Sequence, residues 1–138
     1  MKIRQYLVIT FLIISCIFSQ SAKPTVAILD FEGQGVDASE VKTLTERMRT
    51  EIGNTKAVRL IERKAVEKIM EEQGLQQSGC TTDECAAEVG QLLGVQFMIS
   101  GSIGKMGKSY TIDCKMFSVE TSETVRTKSA THKGDVSG

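Results

Sequence analysis

The residues of this chain that could do chemistry are few and lie far apart. Gly33-Gln34-Gly35-Val36-Asp37-Ala38 matches the G-x-G-x-x-G/A pattern of dinucleotide-binding turns, and Glu62 stands at the end of the next apolar run, where it would meet a ribose hydroxyl. The surroundings disfavour that chemistry. Asp30, Glu32 and Asp37 crowd the point where a pyrophosphate needs positive potential. Asp37 reads as a helix cap, so the helix starts too late for its N-terminus to face phosphates. The chain then passes into alternating strands instead of adding parallel units. A plain strand-to-helix turn is expected, with no cofactor.

Cys80-Thr81-Thr82-Asp83-Glu84-Cys85 has the look of half a metal site. A tetrahedral zinc centre needs more ligands, and a distant His132 with a core-facing Cys114 does not supply them. A local disulfide between Cys80 and Cys85 is the better reading, with no metal. Gly101-Ser102-Ile103-Gly104-Lys105-Met106-Gly107 lies between two strands with no helix to complete a phosphate loop, so it reads as a hairpin. Ser102 lacks the flanking glycines of a nucleophile elbow. His132, the single histidine, falls on a polar strand near the C-terminus. The acid pairs Glu71–Glu72 and Asp83–Glu84 sit at a helix end and a helix start, solvated or compensating a dipole. No nucleophile, base and orienter come together, so no catalytic residue is assigned and no enzyme is expected.

The elements that must carry these residues follow from periodicity. Thr25 to Phe31 is a nearly continuous apolar run, a buried strand, followed by a turn over Glu32 to Gly35. Asp37 with Glu40 reads as a capping box, and Val41, Leu44, Met48 and Ile52 give a helix that stops at Gly53. Ala57 to Ile61 is a second strand. Glu62 to Gln73 is a second helix burying Ala65, Val66, Ile69 and Met70, with Gly74 left-handed and Leu75 folding back on Met70. After a polar loop over Gln76 to Thr82, Thr81 with Glu84 caps a short third helix that carries Ala86, Val89, Leu92 and Leu93 to Gly94. From Val95 the period becomes two. Phe97, Ile99 and Ile103 alternate with Met98, Ser100 and Ser102, and Gly104 to Ser109 turns. Ile112, Cys114 and Met116 then alternate with Thr111, Asp113 and Lys115, giving one buried face and one wet face. A turn at Glu120 to Glu123 leads to a last, polar strand over Thr124 to His132. The fold class is α/β (α+β): βαβα, a short helix, then a three-stranded antiparallel meander, in a mixed sheet with helices packed on it.

Composition sets the compartment. Lys2 and Arg4 precede an apolar run from Tyr6 to Phe18, and Ser19, Gln20, Ser21 and Ala22 offer cleavage points. Residues 1–21 read as a secretory signal, too short for a comfortable membrane span, and residues 22–138 as a single domain of ordinary size. Ile13-Ile14-Ser15-Cys16 also resembles a lipobox, which makes Cys16 a candidate for acylation. Ile17 and Phe18, which prolong the apolar run, speak for ordinary cleavage after Ser19 or Ser21. The chain has 17 basic and 17 acidic residues, and without Lys2 and Arg4 its net charge is −2. With no Trp and 5% aromatics, it has neither the basic footprint nor the stacking platform of a nucleic-acid binder. Export places the cysteines where disulfides persist.

Several stretches carry a family resemblance. Val26-Ala27-Ile28-Leu29-Asp30-Phe31 resembles the opening of the CsgG-like domain of curli production assembly and transport components. So do Leu60-Ile61-Glu62-Arg63 leading into Val66 to Gln73, Leu93 to Ile103, and Ser118-Val119-Glu120-Thr121. The resemblance covers residues 25 to 134. It implies a periplasmic, outer-membrane-associated and often lipid-anchored domain, and periplasmic activators of cell-wall synthases have a similar one. The expected function is a non-enzymatic envelope binding or assembly module that meets an envelope protein partner or forms a homo-oligomer. A secretion-channel subunit is the alternative. That would need barrel strands of about 9–11 residues each beyond the soluble sheet, and Gly104 to Ser109 gives room for a turn alone. Ser122 stands where the family has a turn glycine, and the Cys80–Cys85 loop is extra relative to the curli protein. Gly134-Asp135-Val136-Ser137 looks like a helix start, so the domain is expected to lack the family's C-terminal helix.

The N-terminus is decided by intact mass. A lipidated chain starts at a diacylated Cys16; a start at Gln20 or Ala22 excludes the anchor.

Overall fold

The apolar run that opens the domain does not make one strand. In the computed structural model, which describes residues 22–75, 80 and 82–134, β1 covers Thr25–Ile28 and β2 covers Glu32–Gln34. Both lie parallel against one edge of a long strand, β4 (Phe97–Met106). Ile28 sits beside Ile99 and Glu32 beside Ser102, so the chain advances four residues where β4 advances three. The extra residue is a bulge at Leu29–Asp30–Phe31, and it exchanges the two faces of the strand. Val26 and Ile28 point to one side of the sheet, and past the bulge Phe31 takes over that side. The expected turn over Glu32 to Gly35 is therefore mostly strand.

The remaining elements are α1 (Ala38–Asn54), β3 (Arg59–Leu60), α2 (Arg63–Glu72), α3 (Asp83–Leu93), β5 (Ser109–Ser118) and β6 (Thr124–Lys133). The sheet order is β3-β1-β4-β5-β6, with β2 on β4 beyond β1. β1 is parallel to β3 and β4, while β4, β5 and β6 form an antiparallel meander. This is the α+β fold expected from the sequence, a mixed sheet with helices on both faces. α1 covers the core of Val26, Ile28, Phe31, Ile99, Ile103 and Tyr110. α2 and α3 cover the opposite core, built on Leu29, Val66, Met70, Val89, Met98 and Phe117.

Local chemistry moves several boundaries. Asp37 caps α1 by accepting from the Ser39 amide at 2.9 Å, and the Ser39 hydroxyl and amide hold its carboxyl below the usual range. Glu40 does not close a capping box; its carboxylate accepts from the Tyr110 hydroxyl at 2.8 Å, tying α1 to β5. Gly53 lies inside α1, which ends where the Thr55 amide bonds back to Glu51. β3 is two residues long, not five, and Ala65 is exposed on α2. Gly74 is left-handed (φ 65°), and the Leu75 amide donates to the Met70 carbonyl at 2.8 Å. The cap of α3 is Thr82, whose hydroxyl accepts from the Cys85 amide at 3.2 Å; Thr81 lies outside the described residues. Leu92 is 48% exposed, because Ala87 and Gly90 hold the inner positions of α3. β4 runs on to Met106, so the turn to β5 is only Gly107–Lys108. Ser122, at the turn from β5 to β6, adopts φ 56°, a left-handed conformation that favours glycine.

Ile112, Cys114 and Met116 join the α1-side core yet stay half-buried, since α1 sits over the β1 side of the sheet. Every residue of β6 is exposed. Among the described residues, no helix is long and apolar enough to cross a membrane.

The bulge is fixed by polar groups buried on α1. The Thr45 hydroxyl donates to the Val41 carbonyl at 2.9 Å and accepts from the Phe31 amide at 3.4 Å. Arg49, 7% exposed, donates to the Ile28 carbonyl at 3.0 Å and lies 3.8 Å from Asp30 and 3.4 Å from Glu46. Arg63 reaches Asp30 from α2 at 2.6 Å, and Glu46 and Glu67 at 3.5 and 3.1 Å. Desolvation lowers the Arg49 pKa, against which Glu46 and Asp30 raise it. Removing the guanidinium leaves the Ile28 carbonyl and part of Glu46 unpaired. Arg49→Met is expected to lower stability by about 2–3 kcal/mol, less than loss of a partner from a fully buried pair because Asp30 keeps Arg63. Urea denaturation measures it, and an unchanged midpoint would contradict this role.

Candidate functional site

The bulge also aims Asp30 at an open polar cleft on the α2–α3 side of the sheet. Beyond Met98 and Phe117 that face turns polar, because Ser100 and Ser102 of β4 alternate with core residues and lie beside Lys115 and Asp113 of β5. Asp30, Glu32, Ser100, Ser102, Asp113 and Lys115 line a cleft of about 380 Å³, with Cys80 at its wall. Three of its charged groups are engaged by neighbours. Asp30 is held by Arg63, Lys115 Nζ donates to Asp83 at 2.5 Å, and the Ser129 hydroxyl donates to Asp113 at 2.5 Å. Such a surface can accept and donate hydrogen bonds, but it places no base beside a nucleophile. Among the described residues, no group of His, Cys, Asp and Glu is arranged to hold a metal ion.

The residues singled out in the sequence are dispersed. Gly33 lies in β2, hydrogen-bonded to β4, and its bare Cα accommodates the Val41 side chain; Gly35 (φ 69°) turns against the Lys105 carbonyl. Glu62 precedes α2 and makes no side-chain cap. Cys80 and Cys85 are bonded to each other, with Cα atoms 5.4 Å apart, and Cys80 is buried in the α2–α3 core. Cys114 is a free thiol on the opposite face, where burial pushes its pKa up and keeps the unreactive thiol form. His132 sits on β6 beside Tyr110. Cys16 and Asp135 to Ser137 lie outside the described residues. Sequence reasoning missed Asp30, Thr45, Arg49 and Arg63 as one cluster. The available signal was Thr45 and Arg49 at four-residue spacing from Val41, inside the apolar stripe of α1.

The fold is a mixed sheet covered by helices with an open polar cleft, and comparison with known proteins places it in a family. The chain belongs to the family of the peptidoglycan-synthase activator LpoB, whose match spans residues 9–129. Its fold is similar to the C-terminal domain of LpoB from Salmonella enterica (16% identity, TM-score 0.67, covering 84% of this chain and 87% of that one). The C-terminal domain of LpoB from Escherichia coli is similar too (15%, TM-score 0.70, 83% and 86%). So is lipoprotein GNA1162 from Neisseria meningitidis (8%, TM-score 0.70, 83% and 84%). No curated protein matches the sequence in direct comparison. The family assignment overturns the curli resemblance and the secretion-channel alternative that came with it. The stretches that suggested curli components are core strands and the bulge, which specify the fold and not the task. The protein is exported and acts in the periplasm, in a family of activators rather than enzymes.

The cysteine geometry predicts a redox-specific labelling pattern. Alkylation of the oxidised protein is expected to leave Cys80 and Cys85 unmodified until a reductant is added. Reduction should cost about 2 kcal/mol, as the chain-entropy model gives for so short a loop. Free thiols at both positions in protein taken from the periplasm would refute the pairing.

Proposed function

We propose that this chain activates a peptidoglycan synthase by docking on it, without chemistry of its own. The observation that carries the reading is the match to the activator family across residues 9–129. The likeness to LpoB domains supports the fold on which docking would rest, and the polar lining of the open cleft suits a binding surface. An activator of this kind stabilises the productive conformation of its partner through differential contacts. On this reading the envelope partner is the synthase itself, and a homo-oligomer is not required. Acylation of Cys16 would hold the domain at the outer membrane. Thr25 is nine residues after Cys16, which would give a reach of no more than about 30 Å at full extension.

The test is reconstitution. The mature chain, added to the purified peptidoglycan synthase of the same cell with lipid-linked disaccharide-peptide substrate, is expected to bind it and raise the rate of glycan-strand formation or cross-linking. Binding with no change in rate would reduce the role to assembly. Absence of both would refute the proposal.

A further inference from the structure

Among the described residues, the strand order β3-β1-β4-β5-β6 ends in two strands of different kinds. One is β3, two residues long. The other is β6, ten residues long and exposed throughout. An edge strand leaves alternate N–H and C=O groups pointing outward, ready to pair with another extended chain.

Charge says which chain would fit. Residues 22–96 hold nine lysines and arginines against thirteen aspartates and glutamates, while residues 97–134 hold six against three. The molecule is therefore polarised, with an acidic helical half and a basic meander. Within β6 the charged residues are Arg126, Lys128 and Lys133, and there is no acid. Arg126 and Lys128 lie beside Met116 and Cys114 of β5, so they share the α1-side face of the sheet. Among the described residues, no carboxylate forms an ion pair with Arg126, Lys128 or Lys133. Lysines on an edge discourage self-pairing, and two copies joined through β6 across a two-fold axis would bring like charges together.

We propose that β6 is a strand-addition site for an extended acidic segment of a partner protein. The segment would lie along Thr124–Lys133, paired through main-chain hydrogen bonds, with alternate carboxylates meeting Arg126 and Lys128. The inference stands on β6 itself and goes beyond the activator reading, so its test does not involve a synthase.

The probe is an acetylated decapeptide of alternating glutamate and valine, titrated into the ¹⁵N-labelled mature chain and followed by NMR. Saturable shifts are expected in Thr124–Lys133 and in the adjoining β5. Arg126→Glu with Lys128→Glu, both exposed changes, should weaken binding by about tenfold, as two surface charge pairs allow. The same peptide N-methylated on alternate residues should not bind, because it cannot complete the ladder. Equal binding of the N-methylated peptide would overturn strand addition in favour of simple charge attraction. An absence of shifts would overturn the site, as would β6 shifts that appear on concentrating the chain alone, with slowed diffusion. The last result would assign the edge to a second copy.

Discussion

One extra residue between Ile28 and Glu32 governs the arrangement of this domain. Without it, the opening strand would run along β4 in a single register, and Phe31 would point away from α1. With it, Phe31 lies over Gly101, where a Cβ would collide with the ring and with the Asp113 carbonyl. Asp30 is freed from the ladder and becomes the meeting point of Arg49 from α1 and Arg63 from α2. Those helices cover opposite faces of the sheet, so the bulge ties together two cores that otherwise share only the strands. Burying a guanidinium is costly, and the carbonyl of Ile28 with the carboxylates of Asp30 and Glu46 offsets that cost. Bulges of this kind re-aim side chains beside functional surfaces, and here the re-aimed groups border the polar cleft.

The same constraint divides the molecule into a covered and an uncovered part. β1 and the start of β4, at Met98 and Ile99, are packed on both sides. The outer meander carries the exposed side chains of Met106 and Val125 and the exposed cations Arg126, Lys128 and Lys133 of β6. The acidic helical half balances most of that positive charge at a distance, so the low net charge of the chain conceals a dipolar distribution. Function by contact suits such a molecule, which presents an open edge and a polar face beside a well-packed core.

Much of this was legible in the sequence. The change of period at Val95, the glycines at 74 and 94, and the Asp37 cap gave the order of elements and the meander. The bulge was not legible, because Thr25 to Phe31 is apolar on both faces and a face exchange leaves no mark on such a run. Thr45 and Arg49 fall inside the apolar stripe of α1, but the groups they bind, the Phe31 amide and the Ile28 carbonyl, are fixed only by the tertiary fold. Leu92 looked like a core residue by spacing. Gly90, pressed against Met98 and Val119, turns the helix so that Leu92 faces out. β6 was recognisable as a polar strand, but its position at the open edge depends on topology. The family was misread for a related reason: core motifs encode packing, and related domains with different tasks share them.

The central claim is that this domain acts through contacts made by its exposed meander, and crosslinking in intact cells tests it most directly. A photoreactive residue placed at Thr127 of β6, which lines the cleft, or at the exposed Thr50 on α1, reports which surface meets a partner. The account predicts adducts with a peptidoglycan synthase from Thr127 and none from Thr50. Adducts from Thr50 alone, or from neither position in cells where the chain is active, would contradict it.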